Sequence, residues 1–74
     1  MQMQWVIVTF PDTRDVYIDG VQSGQTNEIL AVGDGTHRFD LGQPLDYVPP
    51  AIQVYVSGTT YDSPLEVPFS KVSQ

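Results

Sequence analysis

The sequence predicts an all-β fold, a small antiparallel β-sandwich of about six to seven strands with no helix. Apolar and polar residues alternate with a period of two, which is the period of a strand with one buried face. Gly, Pro or Asp interrupts the alternation every several residues, as turns between short strands require. The length of 74 residues predicts one domain over 1–74, with its core in 4–70 and a frayed C-terminal tail in 71–74.

Six main strands follow from this alternation, together with a candidate short return strand at 21–23. The main strands cover residues 4–10, 15–19, 28–32, 36–41, 52–57 and 65–69. Four of them offer one apolar face each, because successive side chains point to opposite sides of a sheet. Those faces consist of Val16 and Ile18; His37, Phe39 and Leu41; Ile52, Val54 and Val56; and Leu65, Val67 and Phe69. Two sheets can therefore pack these faces together.

The segments between the strands predict particular turns. Asp19-Gly20 predicts a two-residue hairpin, since a type I′ turn requires positive φ at both central positions. The Gly-Asp-Gly run at 33–35 predicts a second tight hairpin. Residues 42–50 contain three prolines, so we expect an extended, stiff connection that carries the chain from one sheet to the other.

The chain is strongly acidic, with nine Asp and Glu against three Lys and Arg and a net charge of −6. Nucleic-acid binding depends largely on cations that neutralise phosphates, so it is disfavoured, as is binding to anionic lipid. No apolar run approaches the about 20 residues of a membrane span, and the N-terminus lacks the features of a signal peptide. We expect a cytoplasmic protein by default, or a cell-envelope protein if the chain is a fragment of an exported one.

The chemically useful side chains form no recognisable catalytic or metal-binding pattern. Asp12, Asp15 and Asp19 could ligate calcium, but Asp15 and Asp19 lie about 13 Å apart along an extended strand. Turn formation is the expected role of these aspartates. His37 alternates with Phe39, which predicts a half-buried structural histidine, and the absence of cysteine deprives zinc of sulfur ligands. We therefore expect no enzymatic activity, no metal and no cofactor.

The segment FPDTRDVYIDGVQSGQTNEILAVGDGTHRF, residues 10–39, carries a set of motifs at unusual spacing. Pro11 and Asp12 begin it, VYIDG at 16–20 follows, and Gly24 and Thr26 form a Gly-x-Thr segment. The chain resembles the PEGA family of small bacterial β-sandwich modules over roughly residues 5–60. Further positions that match the family pattern are Gly35, Thr36, Phe39 and Tyr47.

Three positions depart from that pattern. Thr13 and Arg14 replace the Gly-Ala that gives the family its name, and Asn27 replaces the usual proline after the threonine. The resemblance implies a non-catalytic accessory or interaction module of a bacterial, often envelope-associated, protein. It offers no catalytic residues to carry over.

The first strand is apolar on both faces. Counting back from Pro11 in the PEGA-like register, the core-facing side chains are predicted to be Trp5, Ile7 and Thr9. Val6, Val8 and Phe10 then face outward, and Tyr17 and Tyr55 point outward on other strands. Such an exposed apolar patch marks an interaction site, and an uncharged β-forming segment left bare would aggregate. We expect a second copy or another protein to cover it; the alternative is coverage by the Pro-rich connection or the C-terminal tail.

The function expected from these observations is protein–protein contact through an apolar sheet face. The alternative is a carbohydrate-binding module in which surface aromatics stack on sugars, using Tyr17, Tyr55 and either Trp5 or Tyr61. Cross-strand aromatic pairing that only stabilises the sheet is a third interpretation of the same residues. The expected partners are thus a protein or a second copy, with a glycan as the alternative.

Overall fold

A computed structural model describes residues 2–72, and within them the chain forms strands and no helix. All six main predicted strands and the return strand are present, with ends shifted by up to two residues. The nine strands are β1 (Met3–Thr9), β2 (Asp15–Ile18), β3 (Val21–Gln25), β4 (Ile29–Gly33), β5 (Gly35–Asp40), β6 (Tyr47–Val48), β7 (Ile52–Val56), β8 (Leu65–Pro68) and β9 (Ser70–Lys71). The all-β prediction is therefore confirmed over the described residues.

These strands form three sheets. The three-stranded sheet has the order β4-β1-β8, in which β1 is antiparallel to β4 and parallel to β8. The four-stranded sheet has the order β3-β2-β5-β7 and is antiparallel throughout. The short strands β6 and β9 pair with each other. The parallel β1–β8 pair is possible because a long connection through the other sheet separates these strands in the chain.

Buried side chains from both larger sheets belong to one hydrophobic cluster, as a small β-sandwich requires. The four predicted apolar faces all lie on the inner side. The buried core consists of Val6, Val8, Phe10, Val16, Ile18, Val32, Phe39, Leu41, Tyr47, Val56, Val67 and Phe69. Every buried side-chain nitrogen and oxygen within 2–72 has a hydrogen-bond partner.

The β2–β3 hairpin has the predicted two-residue turn. Asp19 and Gly20 have φ values of 54° and 83°, and Ile18 pairs directly with Val21. Positive φ at both central positions is the requirement of a type I′ turn. The Asp19 side chain also accepts a hydrogen bond from the Arg38 backbone at 3.0 Å, which ties the turn to β5.

The prediction of a hairpin at 33–35 is wrong. β4 lies in the three-stranded sheet and β5 in the four-stranded sheet, so this segment is a corner between sheets. Gly35 has φ 121°, a conformation that side-chain-bearing residues rarely adopt, and this lets the chain change direction there. Gly-rich sequence predicted the sharp bend correctly but not the strands that it joins.

The Pro-rich connection also differs from its prediction. It joins β5 and β7, which are neighbours in the four-stranded sheet, so it does not carry the chain between sheets. Instead it contributes β6, which pairs with β9. The predicted frayed tail is accordingly wrong at Lys71, which pairs with Tyr47, and the Val72 backbone donates to the Asp46 carbonyl at 2.9 Å. The last two residues of that predicted tail, 73–74, lie outside the described residues.

Candidate interaction face

The structure reverses the predicted orientation of β1. Val6 and Val8 are 0% exposed and Phe10 is 5% exposed, so the prediction that they face outward is wrong. Trp5 and Ile7 lie on the outer side and are only half-buried. The interaction face predicted from Val6, Val8 and Phe10 therefore belongs to the core.

Pairing with the neighbouring strands explains this orientation. Val6 lies opposite Leu30 on β4 and Leu65 on β8, and Val8 lies opposite Val67. Paired residues in neighbouring strands share one side of the sheet, so the apolar side chains of β4 and β8 select these two valines for the core. β1 is apolar at both parities, and its own sequence therefore cannot decide which side is buried.

Phe10, the residue that follows β1, packs against aromatic side chains of the same chain. Phe10 meets the Tyr47 ring edge-to-face at a centroid distance of 6.4 Å, and Tyr47 meets Phe69 in the same way at 5.5 Å. Tyr47 belongs to the Pro-rich connection, one of the two segments of the chain that the alternative prediction gave as a cover for this strand. The Tyr47 hydroxyl accepts from the Leu41 backbone and donates to the Gly42 carbonyl, which fixes the ring in place.

The opposite side of the three-stranded sheet carries a different apolar surface, which we name the outer face. Its strand positions follow from the β1–β4 register, in which Trp5 lies opposite Ala31 and Ile7 lies opposite Ile29. Met3 and Tyr61 are 60% and 61% exposed, and Ala31 is also exposed. The outer face consists of Met3, Trp5, Ile7, Ile29, Ala31 and Tyr61.

The connection between β7 and β8 holds one edge of the outer face in place. Tyr61 packs edge-to-face against Trp5 with ring centroids 5.4 Å apart. The Trp5 backbone donates to the Thr59 hydroxyl oxygen at 2.7 Å. That hydroxyl in turn donates to the Gln4 side-chain oxygen at 2.6 Å, which explains how Gln4 is buried without loss of hydrogen bonding. The aromatic pair is thus positioned by a polar network beneath it.

Charge distinguishes the outer face from the corresponding side of the four-stranded sheet. β1 and β4 contain no charged residue, and β8 contributes only Glu66, opposite Ile7. The four-stranded sheet presents Asp15, Arg38 and Asp40 on its outer side. One side of the molecule is therefore an ordinary solvated surface, whereas the other is apolar with acidic neighbours.

The two tyrosines of the predicted site do not lie beside each other. Both lie on the outer side of the four-stranded sheet, where Tyr17 is half-buried and Tyr55 is 65% exposed. Tyr17 pairs with Asp40 and Tyr55 pairs with Thr36, so the register separates them by four residues, about 13 Å, along β5. They do not form one stacking platform, and neither belongs to the outer face.

Arg14, one of the departures from the PEGA pattern, anchors the Pro-rich connection. Its guanidinium forms a salt bridge with Asp46 and donates to the carbonyls of Leu41 at 3.2 Å and Pro44 at 2.9 Å. It also lies over the Tyr47 ring, 5.5 Å from the centroid. The planar fork of arginine suits this multiple contact, and lysine could not reproduce it.

Asn27, the second departure, closes the end of β1. Its side chain accepts from the Phe10 backbone N–H at 3.3 Å and donates to the Phe10 carbonyl at 2.8 Å. Asn27 has φ 65°, whereas the proline ring holds φ near −65°. Proline therefore cannot occupy this position in this backbone. The neighbouring Thr26 hydroxyl accepts from the Arg14 backbone at 2.9 Å and donates to the Asp12 carbonyl at 2.8 Å.

His37 is half-buried, as predicted, and links the two turns. Its Nδ1 lies 2.7 Å from the Asp19 carboxylate and its Nε2 lies 2.7 Å from the Gly33 carbonyl. Both partners are acceptors, so only the imidazolium donates to both. The bond to Asp19 and the Gly33 carbonyl raise the pKa of His37, although partial burial opposes the shift. The Arg38 backbone N–H and then His37 lower the pKa of Asp19.

Residues 2–72 contain no group of three or more His, Cys, Asp or Glu side chains placed to hold a metal ion. No helix in this range is long and apolar enough to cross a membrane. Comparison with known proteins finds no matching family model, no matching curated protein and no matching solved structure. The resemblance to the PEGA family stays a prediction.

Sequence reasoning missed Met3, Ile29 and Ala31 as surface residues of the outer face. The signal that could have found them is the absence of charge from both MQWVIVT and ILAVG, residues 3–9 and 29–33. In a chain with net charge −6, charged side chains are expected at the outward positions of a strand. A strand without any charged residue therefore has an uncharged outward side. Two such strands paired together produce a continuous uncharged surface.

Proposed function

We propose that this chain is a non-catalytic interaction module, PEGA-like in architecture, that contacts a protein partner through the outer face of its three-stranded sheet. The observation that supports this proposal is the uncharged apolar surface around Trp5, Ile7 and Ala31, on the side of the sheet away from the core. Contiguous exposed apolar surface on a small soluble domain is typical of a contact site. Trp and Tyr are also the side chains enriched at the centres of protein interfaces.

The proposal is tested by Ala31→Lys, which places a cation on the outer face, opposite Trp5, without removing a buried side chain. Thr36→Lys is the matched control, because Thr36 is exposed on β5, on the outer side of the four-stranded sheet. Affinity capture from the source cells should recover partners with wild type and Thr36→Lys and lose them with Ala31→Lys. Equal capture by both variants, with both folded by NMR, would contradict the proposal.

The carbohydrate-binding alternative rests on the exposure of Tyr55 and Tyr61, at 65% and 61%. Trp5 and Tyr61 meet at 83°, so only one of the two rings can lie flat against a sugar. An NMR titration with a polysaccharide panel separates the two functions. Shifts at Tyr55 or Tyr61 amides that saturate with sugar would favour glycan binding, and an unperturbed spectrum would favour protein contact.

A further inference from the structure

We infer that the partner of the outer face is a short amphipathic helix whose apolar stripe is flanked by Lys and Arg. This inference rests on the proposed function and adds the chemistry and size of the occupant.

Within residues 2–72, the charged side chains on the strands and loop of the outer face, or next to them in sequence, are acidic. Glu66 lies on the face itself, opposite Ile7, and the exposed carboxylates of Glu28, Asp34 and Asp62 flank its strands and its loop. The three Lys and Arg residues are elsewhere, and the imidazolium of His37 is paired with Asp19. Arg14 is bound to Asp46, Lys71 is bound to Asp12, and Arg38 lies on the four-stranded sheet. A basic rim on the partner would complement this arrangement, and an acidic rim would be repelled.

The same charges disfavour a second copy as the occupant. Each chain carries a net charge of −6, and a two-fold symmetric contact would place the acidic rim of one copy against that of the other. Like charges in apposition oppose association, most strongly at low ionic strength. The negative potential of these carboxylates attracts a basic partner and repels a second copy of the chain.

The dimensions of the sheet indicate a helix rather than a folded domain. Three strands about 4.8 Å apart give a width of about 14 Å, and the seven residues of β1 give a length of about 23 Å. The six residues of the outer face are also far fewer than the roughly 20–30 residues that each partner contributes to a standard interface. An α-helix is about 10–12 Å in diameter, and about 15 residues span 23 Å.

Three synthetic helical peptides of about 15 residues test the inference, with the same leucine stripe and with Lys, Gln or Glu at the flanking positions. Each is titrated into the isotope-labelled full chain to about 1 mM and followed by NMR. The Lys peptide should bind about fivefold more tightly than the Gln peptide and the Gln peptide more tightly than the Glu peptide, with shifts at Trp5, Ile7 and Ala31. The difference should shrink with added salt.

Charge reversal at the face supplies the decisive variant. Glu66→Lys should narrow or invert the order of the three peptide affinities, whereas Asp15→Lys, which makes the same exchange of a carboxylate for an ammonium at an exposed position of the four-stranded sheet, should keep it. Ala31→Lys should abolish binding of all three. Folding of each variant is checked by its NMR spectrum before titration.

The outcomes separate this inference from the proposed function. Equal binding of the three peptides at the outer face would overturn the basic partner while keeping the face. No binding of the Lys peptide, or shifts confined to the four-stranded sheet, would overturn the helix. A concentration-dependent dimer in light scattering that Ala31→Lys dissolves would replace the helix by a second copy. Loss of natural partners in Thr36→Lys but not in Ala31→Lys would contradict the proposed contact through the outer face.

Discussion

Replacing Arg14 by methionine tests whether one side chain holds the Pro-rich connection in place. Methionine keeps most of the aliphatic stem over Phe10 and Tyr47 but removes the guanidinium, its donors and its charge. The variant therefore isolates the polar contacts to Asp46 and to the carbonyls of Leu41 and Pro44.

The expected loss can be worked from these contacts. Asp46 is 40% exposed, so its ion pair with Arg14 belongs near the surface range of about 0.2–1 kcal/mol. The Arg14 side chain is only 15% exposed, and its charge-assisted bonds to two carbonyls add about 1–2 kcal/mol after competition from water. The cation–π contact adds about 0.5–1 kcal/mol. We expect Arg14→Met to lower the free energy of unfolding by about 2–4 kcal/mol.

Equilibrium unfolding in urea measures this loss, with Arg38→Met as the control of equal charge change on an exposed strand position. A domain of this size should lose about 10–30 °C in Tm for the same change. Hydrogen exchange should accelerate at Val72, whose amide is bonded to Asp46, before it does so in β1. A loss in Arg14→Met within about 0.5 kcal/mol of that in Arg38→Met would refute the reasoning.

Substitutions at three further positions address the turns. The free energy of unfolding of wild type should exceed that of His37→Gln most at pH values between about 4 and 6.5, the ordinary pKa values of Asp19 and His37. This difference should disappear as the pH rises through the raised pKa of His37. Urea unfolding at several pH values measures the difference. Asn27→Gly should lower the stability by about 1–2 kcal/mol, because it removes the hydrogen bonds to Phe10. Asn27→Ala should cost about 1 kcal/mol more, because alanine is disfavoured at the positive φ of this position. Equal losses of stability in thermal unfolding would exclude this backbone contribution. Gly20→Val should cost about 1–2 kcal/mol with no steric clash, since nothing lies within 4 Å of the added Cβ, and an unchanged Tm would contradict a type I′ turn.

Much of the fold could be predicted from local pattern because most strands bury one side only. The alternation in β5, β7 and β8 has a single apolar parity, and a strand of that kind has only one orientation that keeps water away from its apolar side chains. The β2–β3 turn was equally predictable, because Asp-Gly is compatible with positive φ at two successive positions.

The features that could not be predicted depend on residues far apart in the chain. The 33–35 bend and the 42–50 connection have the composition of turns, but composition does not state which sheets their flanking strands join. The pairing of Tyr47 with Lys71 spans 24 positions and involves strands of two residues each, which are too short to show a period. Arg14 likewise acts on residues that follow it by 27 to 32 positions.

The one strand whose orientation was predicted wrongly is also the strand on which the proposed contact lies, and one property of β1 explains both facts. A strand at the centre of a sheet with one solvated face needs apolar residues only at alternate positions, and Val6 and Val8 meet that need completely. Trp5 and Ile7 are additional to it, and their apolar surface has no role in the shared core. Local patterns that exceed what the fold requires are expected at functional sites. A partner that covers the outer face would account for the additional apolar side chains of Trp5 and Ile7. Because these side chains make β1 apolar on both sides, the neighbouring strands β4 and β8 decide which side is buried.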